Sequence, residues 1–367
     1  MVKVLLISTV GLKYDGITSV MLSNLEAMDR SGFEFFIAET LVSEDTIKEK
    51  FKSLGCKIVK FPNRKKHPFL YFWELFKFIK KNNIDVVHAN GNSATLAIEM
   101  LAAKFGNCPN RIAHSHNTKA DYAKLDKILR PFFNISYTQA VACSNDAGKW
   151  LFKDKPFIIV NNGRDISKYS FNNFKRRQMR EKLNGSNRLF IGHVGGFVPQ
   201  KNHEFLLHVY KELYSLRKDA IFYIIGDGYL KEQIQNLVDR LGIKDRVVFT
   251  GNINNVQDYL QAMDVMVMPS LFEGLPLAAI EWQLNGLPVV MSDTITEDCI
   301  ISDKVESLSL SESYQKWAEK IIEISKCNNR ENNSIEAQRM AKTKGFDVRD
   351  SAKKLRNLYI FREGKEK

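Results

Sequence analysis

The chain has 367 residues, 44% of them hydrophobic and 26% charged. That composition excludes a disordered or fibrous protein, and the length suits two domains of roughly 150–200 residues each. The formal net charge of +12 favours anionic partners such as phosphate-bearing substrates or an acidic membrane face. The five cysteines, at 56, 108, 143, 299 and 327, are scattered and form no C-x-x-C pair. Neither a zinc knuckle nor a disulfide framework is supported, and a cytoplasmic setting is expected.

The chain opens with a short apolar run, Val2–Ser8, read as a buried first strand rather than a signal sequence. No stretch approaches the ~20 apolar residues needed to span a membrane. Further strands are predicted at Phe33–Ala38, Lys57–Phe61, Asp85–His88, Arg111–His114, Ala140–Cys143 and Phe157–Val160. Continuous apolar runs alternating with amphipathic stretches point to buried parallel strands in a doubly wound domain. The polar, basic stretch 165–187 reads as a linker followed by a helix. A second series then follows: Leu189–His193, Ile221–Ile225, Val247–Thr250, Val265–Met268 and Pro288–Met291. The expected fold is α/β, with Rossmann-like domains at 1–168 and 169–345 facing a central cleft. Residues 346–367 are expected to form a C-terminal helix that packs back on the first domain. Ligands of such domains lie at the carboxyl ends of the strands.

Residues 63–81, from Asn63 to Lys81, are basic and strongly aromatic. A helix from Pro68 would carry Glu74, Lys77 and Lys81 on one side. An interfacial helix on anionic lipid has this composition, and so does a helix packed on a sheet with a charged outer stripe.

The most informative segment is Pro269–Glu281, which follows a predicted strand. Glu273 and Gly274 fall in its loop, and Pro276 suits the first turn of a helix. The exposed N–H groups of Gly274 and Leu275 would then attract phosphate or hydroxyl oxygens. A helix from 276 to 285 places Glu281 within about 12 Å of Glu273 along its axis. Carboxylates accept hydroxyl hydrogens, so a sugar and a ribose are natural partners. Gly195 and Gly196 end another strand and permit close backbone approach, and Lys201 offers a point charge for phosphate. Ile224–Gly228 runs into glycines in the same manner but is common in α/β proteins. In the first half, Gly11 and Gly16 lie in the loop after the first strand, and His116 follows a predicted strand. No D-x-D pair, P-loop, H-E-x-x-H or complete G-x-G-x-x-G occurs. No metal or other cofactor is expected, so lysine, helix starts and backbone amides must meet any diphosphate charge. No nucleic-acid-binding module is found.

Together these segments resemble the family 4 (group 1) glycosyltransferases of the GT-B fold, particularly bacterial members that build capsular or exopolysaccharides. Asp85–His88, Gly91–Ser93, Arg111–Asn117, His193–Asn202, Glu273–Trp282, Gly286–Pro288 and Ser292-Asp293 carry the resemblance. It implies a retaining transfer from a nucleotide-diphosphate sugar, UDP-linked by expectation, to a glycan or polyprenyl-diphosphate-linked acceptor. It further implies that Glu273 sits against the donor sugar and phosphates, and that Glu281 holds the ribose. Lys201 would neutralise the diphosphate with support from Gly274 and Leu275. Gly16 would admit the diphosphate to the first loop, and His116 would stand near the reacting sugar. Peripheral contact with the inner face of the cell membrane would follow from residues 63–81.

Three positions depart from the family pattern. Gly196 stands where an arginine is usual, Asp15 where a glycine is usual, and Arg164 where an aliphatic residue is usual. A nucleotide-sugar epimerase or a non-catalytic donor-binding relative would share many of these residues.

Overall fold

The computed structural model describes residues 1–117, 123–185, 187–326 and 329–360. The chain divides into two units: residues 1–165 with 345–367, and residues 166–344.

The first unit begins with alternating strands and helices. They are β1 (Val2–Ser8), α1 (Gly16–Ala27), β2 (Phe33–Glu39), α2 (Asp45–Ser53), β3 (Lys57–Lys60), α3 (Pro68–Asn82), β4 (Val86–Gly91), α4 (Ala97–Phe105), β5 (Asn110–Ser115), α5 (Ala123–Asn134), β6 (Gln139–Ala142), α6 (Asn145–Phe152) and β7 (Ile158–Ile159). The second contains α7 (Asn173–Lys182), β8 (Phe190–Val194), α8 (His203–Leu216), β9 (Ile221–Ile225), α9 (Lys231–Arg240), β10 (Val247–Gly251), α10 (Val256–Ala262), β11 (Val265–Met268), α11 (Leu277–Leu284), β12 (Val289–Ser292), β13 (Val305–Leu308), α12 (Tyr314–Ser325) and α13 (Arg330–Thr343). The last helix, α14 (Val348–Ile360), belongs to the first unit.

Both sheets are parallel, in the orders β3-β2-β1-β4-β5-β6-β7 and β10-β9-β8-β11-β12-β13. The strand order reverses between β1 and β4, and between β8 and β11. Such switch points open a crevice for ligands beyond the carboxyl ends of the strands. In the middle of the two sheets Val4–Ile7 and Val265–Met268 are buried, which explains their continuous apolar sequences.

The edges differ from expectation. Phe157–Val160 reads as a buried strand, yet only Ile158–Ile159 pair, and both are exposed. They form the sheet edge, where one side has no neighbour. The Lys57 strand is likewise an edge and is only partly buried. Strand β13 was not anticipated. Its Val-Glu-Ser-Leu sequence carries two polar residues and is half-buried.

Two polar clusters lock the units internally. In the first, Arg64 Nε meets Glu99 Oε1 at 2.5 Å, and Glu99 is fully buried. In the second, Asp264 accepts from Arg180 Nη1 at 2.9 Å and from the Phe190 amide at 2.8 Å. Buried charges are retained only with such complete pairing.

In α3, Tyr71, Leu75 and Ile79 face the core, while Phe69, Leu70 and Trp73 are exposed. The apolar residues therefore occupy two faces, one inside and one out. Among the described residues, no helix is long and apolar enough to cross a membrane.

Candidate functional site

In the second unit, β8 and β11 lie side by side at the switch point, with Ile191 opposite Val265. Their exits bring Gly195–Lys201 and Pro269–Glu281 together. Lys201 Nζ meets Glu273 Oε1 at 2.6 Å. Gln200 Nε2 holds Glu273 Oε2 at 3.1 Å and the Phe272 carbonyl at 2.9 Å. The Leu271 amide donates to the Gln200 carbonyl at 2.9 Å, tying the two loops through their backbones. The Glu273 side chain is 8% exposed and that of Lys201 is 18% exposed. Both charges thus sit at the rim of the strand ends, paired in advance.

Glycines let these loops meet. A Cβ on Gly195 would lie 2.8 Å from His193 Nε2 and 3.2 Å from Lys201 Cδ. One on Gly226, where φ is +145°, would strike the Gly195 carbonyl at 2.1 Å. One on Gly228 would lie 2.6 Å from the Phe197 carbonyl. The Ile224–Gly228 segment, unremarkable in sequence, is therefore the support against which the Gly195 loop rests. Gly196 is different. It has ordinary φ, and among the described residues its Cβ would meet only the Asp227 carbonyl, at an ordinary 3.7 Å. The backbone there does not require glycine.

Beneath this loop, His193 Nδ1 donates to the Val267 carbonyl at 2.9 Å and joins β8 to β11. Burial lowers its pKa to about 4, so the ring is neutral at ordinary pH.

Pro276 caps α11 instead of opening its first turn, and the helix starts at Leu277. With ψ at 94°, Pro276 is still extended. Among the described residues, no side chain caps the helix. The amides of Gly274 and Leu275 donate to no group among the described residues. Glu281 is half-buried in the second turn, beside the fully buried Trp282 that anchors the helix.

The first unit holds the remaining candidates. Asp15 is the N-cap of α1, and its Oδ1 accepts the Thr18 amide at 2.9 Å. Its carboxylate thus serves the helix N-terminus, which accounts for an anion at this position. Gly16 is the first helical residue, and a Cβ there would have nothing within 4 Å. The fold itself makes no demand for glycine at 16. Arg164 is buried, with Nη2 3.3 Å from Ser19 Oγ on α1.

His116 follows β5. Its Nε2 lies 2.8 Å from Asn90 Oδ1, and its Nδ1 lies 3.2 Å from Asn162 Oδ1. The Asn90 amide nitrogen donates to the Ile7 carbonyl at 3.2 Å, which fixes its oxygen toward His116. His116 Nε2 therefore carries a hydrogen. Burial lowers the pKa of the ring to about 4. Nδ1 is then a lone pair, which Asn162 can serve only with its amide turned over, placing nitrogen where Oδ1 now lies. Sequence reasoning missed that His88 and His114 lie buried behind this residue.

Among the described residues, no group of three or more His, Cys, Asp or Glu side chains is arranged to hold a metal ion.

Two Rossmann-like units with loops at their switch points define the GT-B class. Residues 14–168 match the family described as Glycosyltransferase Family 4, and residues 174–341 match Glycosyl transferases group 1. The chain belongs to the group 1 glycosyltransferases of family 4. It is 29% identical over 364 residues to the putative glycosyltransferase EpsF of Bacillus subtilis (strain 168), covering 95% of this chain and 94% of that one. It is 26% identical over 311 residues to an Escherichia coli UDP-Gal:alpha-D-GlcNAc-diphosphoundecaprenol alpha-1,3-galactosyltransferase, covering 78% of each. Among solved structures, HepE of Anabaena in complex with UDP and glucose matches with a TM-score of 0.80 at 17% identity. That match covers 97% of this chain and 99% of HepE.

Proposed function

We propose that the chain is a retaining, metal-independent glycosyltransferase. It takes a hexose from a UDP-linked donor and passes it to a glycan or polyprenyl-diphosphate-linked acceptor in surface-polysaccharide assembly. The observation that carries this reading is the Lys201–Glu273 pair beside the unbonded amides of Gly274 and Leu275. A cation and outward N–H groups suit a diphosphate, and the adjoining carboxylate suits sugar hydroxyls. The E. coli relative, with its UDP-linked donor and undecaprenol-linked acceptor, supports the choice of substrates.

In this reading Lys201 turns from Glu273 toward the incoming diphosphate, and Glu273 becomes available to the sugar. Glu281 takes the ribose hydroxyls, and Gly16 admits the diphosphate to the first loop. Gly195 and Gly196 keep the neighbouring backbone close to the donor. Neutral His116 stands near the reacting sugar. The acceptor oxygen bonds to the anomeric carbon from the face that the phosphate leaves. The anomeric C–O bond breaks, UDP departs, and the leaving phosphate takes the acceptor proton. Lys201 and the amides stabilise the charge that develops there.

The test is turnover of a panel of UDP-hexoses with undecaprenyl-diphosphate-GlcNAc in excess EDTA, with product configuration read by proton NMR. An α-linked product from an α-linked donor, at a rate indifferent to EDTA, is expected. A β-linked product or loss of turnover in EDTA contradicts the mechanism. Epimerised donor without acceptor identifies an epimerase.

Peripheral contact with anionic lipid belongs to the same proposal. Phe69, Leu70 and Trp73 project outward on a helix that also carries Lys77, Lys80 and Lys81. Exposed aromatic residues beside lysines suit an acidic headgroup surface. The full chain should co-sediment with phosphatidylglycerol vesicles at low salt, and a chain left in the supernatant would refute the contact.

A further inference from the structure

We propose that Tyr359, His88 and His114 are positioning residues for His116, joined by a one-way chain of hydrogen bonds that ends on a single buried water. The proposal rests on the reading above that His116 meets the reacting sugar.

The three residues come from α14, β4 and β5. Tyr359 Oη lies 2.8 Å from His88 Nδ1, and His88 Nε2 lies 3.0 Å from His114 Nδ1. All three side chains are buried. Burial raises the pKa of the phenol and lowers those of both imidazoles, to about 3 for His88, so all three groups are neutral.

Neutral groups leave one consistent direction. The Tyr359 hydroxyl hydrogen has His88 Nδ1 as its acceptor. His88 then carries its hydrogen on Nε2 and donates to His114 Nδ1. His114 must carry its own hydrogen on Nε2. Reversing the chain would leave the Tyr359 hydroxyl hydrogen buried with no acceptor, a costly arrangement.

His114 Nε2 has no hydrogen-bond partner among the described residues, and neither has Asn24 Oδ1. Both residues line one cavity of about 10 Å³, together with His88, Asn90 and Tyr359. That volume accommodates about one water, which accepts from His114 and donates to Asn24. Asn24 is oriented for this because its amide nitrogen already donates to the Val20 carbonyl at 2.9 Å.

The chain acts on His116 by contact. The His114 and His116 rings lie 4.0 Å apart, centroid to centroid, tilted by 34°. Each ring nitrogen that could take a proton in His88 and His114 already accepts a buried hydrogen bond. Protonating either ring would break that bond. The platform under His116 therefore stays neutral, and its plane is fixed from α14.

The test combines tautomer and turnover. In the full chain labelled with 15N-histidine, long-range proton–nitrogen NMR should show His88, His114 and His116 all protonated on Nε2. His88→Leu cuts the chain. It should leave His114 a mixture of tautomers and lower kcat about tenfold, with donor KM within about twofold. His88→Gln retains an acceptor for Tyr359 and a donor for His114. It should keep the His114 tautomer and hold kcat within about twofold of wild type. Tyr359→Phe removes one oxygen from the same chain and should lower kcat in the same manner should His88→Leu fail to fold. Turnover is UDP release from the fastest UDP-hexose of the panel.

Hydrogen on Nδ1 of His114 in the wild type would overturn the proposal, as would equal kcat in the Leu and Gln variants. His116→Ala separates the two levels of the argument. Wild-type turnover in that variant removes His116 from the mechanism, and the positioning role with it. Impaired turnover there, beside an unimpaired His88→Leu, overturns the chain alone.

Discussion

Lys201→Ala and Glu273→Ala should each lower UDP release about tenfold or more, because each removes a charged group from the proposed site of the donor's phosphates and sugar. The expected losses have different origins. Lys201→Ala removes the cation proposed to offset the diphosphate. It also strands the Glu273 carboxylate, which is only 8% exposed and, among the described residues, keeps Gln200 as its hydrogen-bond partner. Removing one member of a mostly buried pair leaves an uncompensated charge, so this variant should also melt earlier. Glu273→Ala leaves Lys201 more freedom to reach solvent through its longer side chain. Its loss should appear in kcat more than in stability. Glu273→Gln separates charge from shape, since the amide preserves the volume and a contact with Gln200. That variant should fold as the wild type does and still turn over slowly. Wild-type UDP release in either alanine variant, with thermal melting measured alongside, would remove that residue from the mechanism.

Gly196→Arg should tighten donor binding about tenfold or more, the equivalent of one charge-assisted hydrogen bond. The structure makes this a fair test, because a Cβ at Gly196 meets only the Asp227 carbonyl, at 3.7 Å. Neither steric overlap nor positive φ opposes the side chain. The contrast with Gly195 and Gly226, where a Cβ would collide, makes the choice of position specific. Titration calorimetry with UDP reads the effect directly. An unchanged or larger dissociation constant would mean that another group already meets the charge that an arginine at this position supplies elsewhere in the family. Salt adds a second reading, since a new charge contact weakens as ionic strength rises.

The fold was legible because its central strands are buried on both faces. Val4–Ile7 and Val265–Met268 are unbroken apolar runs, and such runs are the signature of parallel sheets. Legibility fell at the edges. Strand β13 mixes Glu306 and Ser307 into its four residues, and β7 keeps only two exposed isoleucines. Edge strands bury less, so their sequences carry less pattern. The acidic–glycine loop at 273–281 stood out because a strand, a loop and a helix follow one another there within a few residues. Its Pro276 is the cap and not the first helical residue, a shift of one position.

Other features depended on contacts that sequence spacing cannot show. Asp15 departs from the family's usual glycine, and only its bond to the Thr18 amide shows that it is a helix cap. The Gly226 and Gly228 turn looked ordinary, and only its approach to Gly195 and Phe197 explains the missing side chains. Tyr359 and His88 are 271 residues apart in sequence. Their pairing is invisible to any local pattern, and it exists because α14 returns to the first unit.

In the proposed mechanism the loops after β8 and β11 hold the donor diphosphate. A crystal structure of the full chain with UDP bound tests that most directly. Density for the two phosphates against Gly195–Lys201 and the amides of Gly274 and Leu275, with the ribose on Glu281, is the expected result. Diphosphate bound away from both loops, with Lys201 still paired to Glu273, would contradict it.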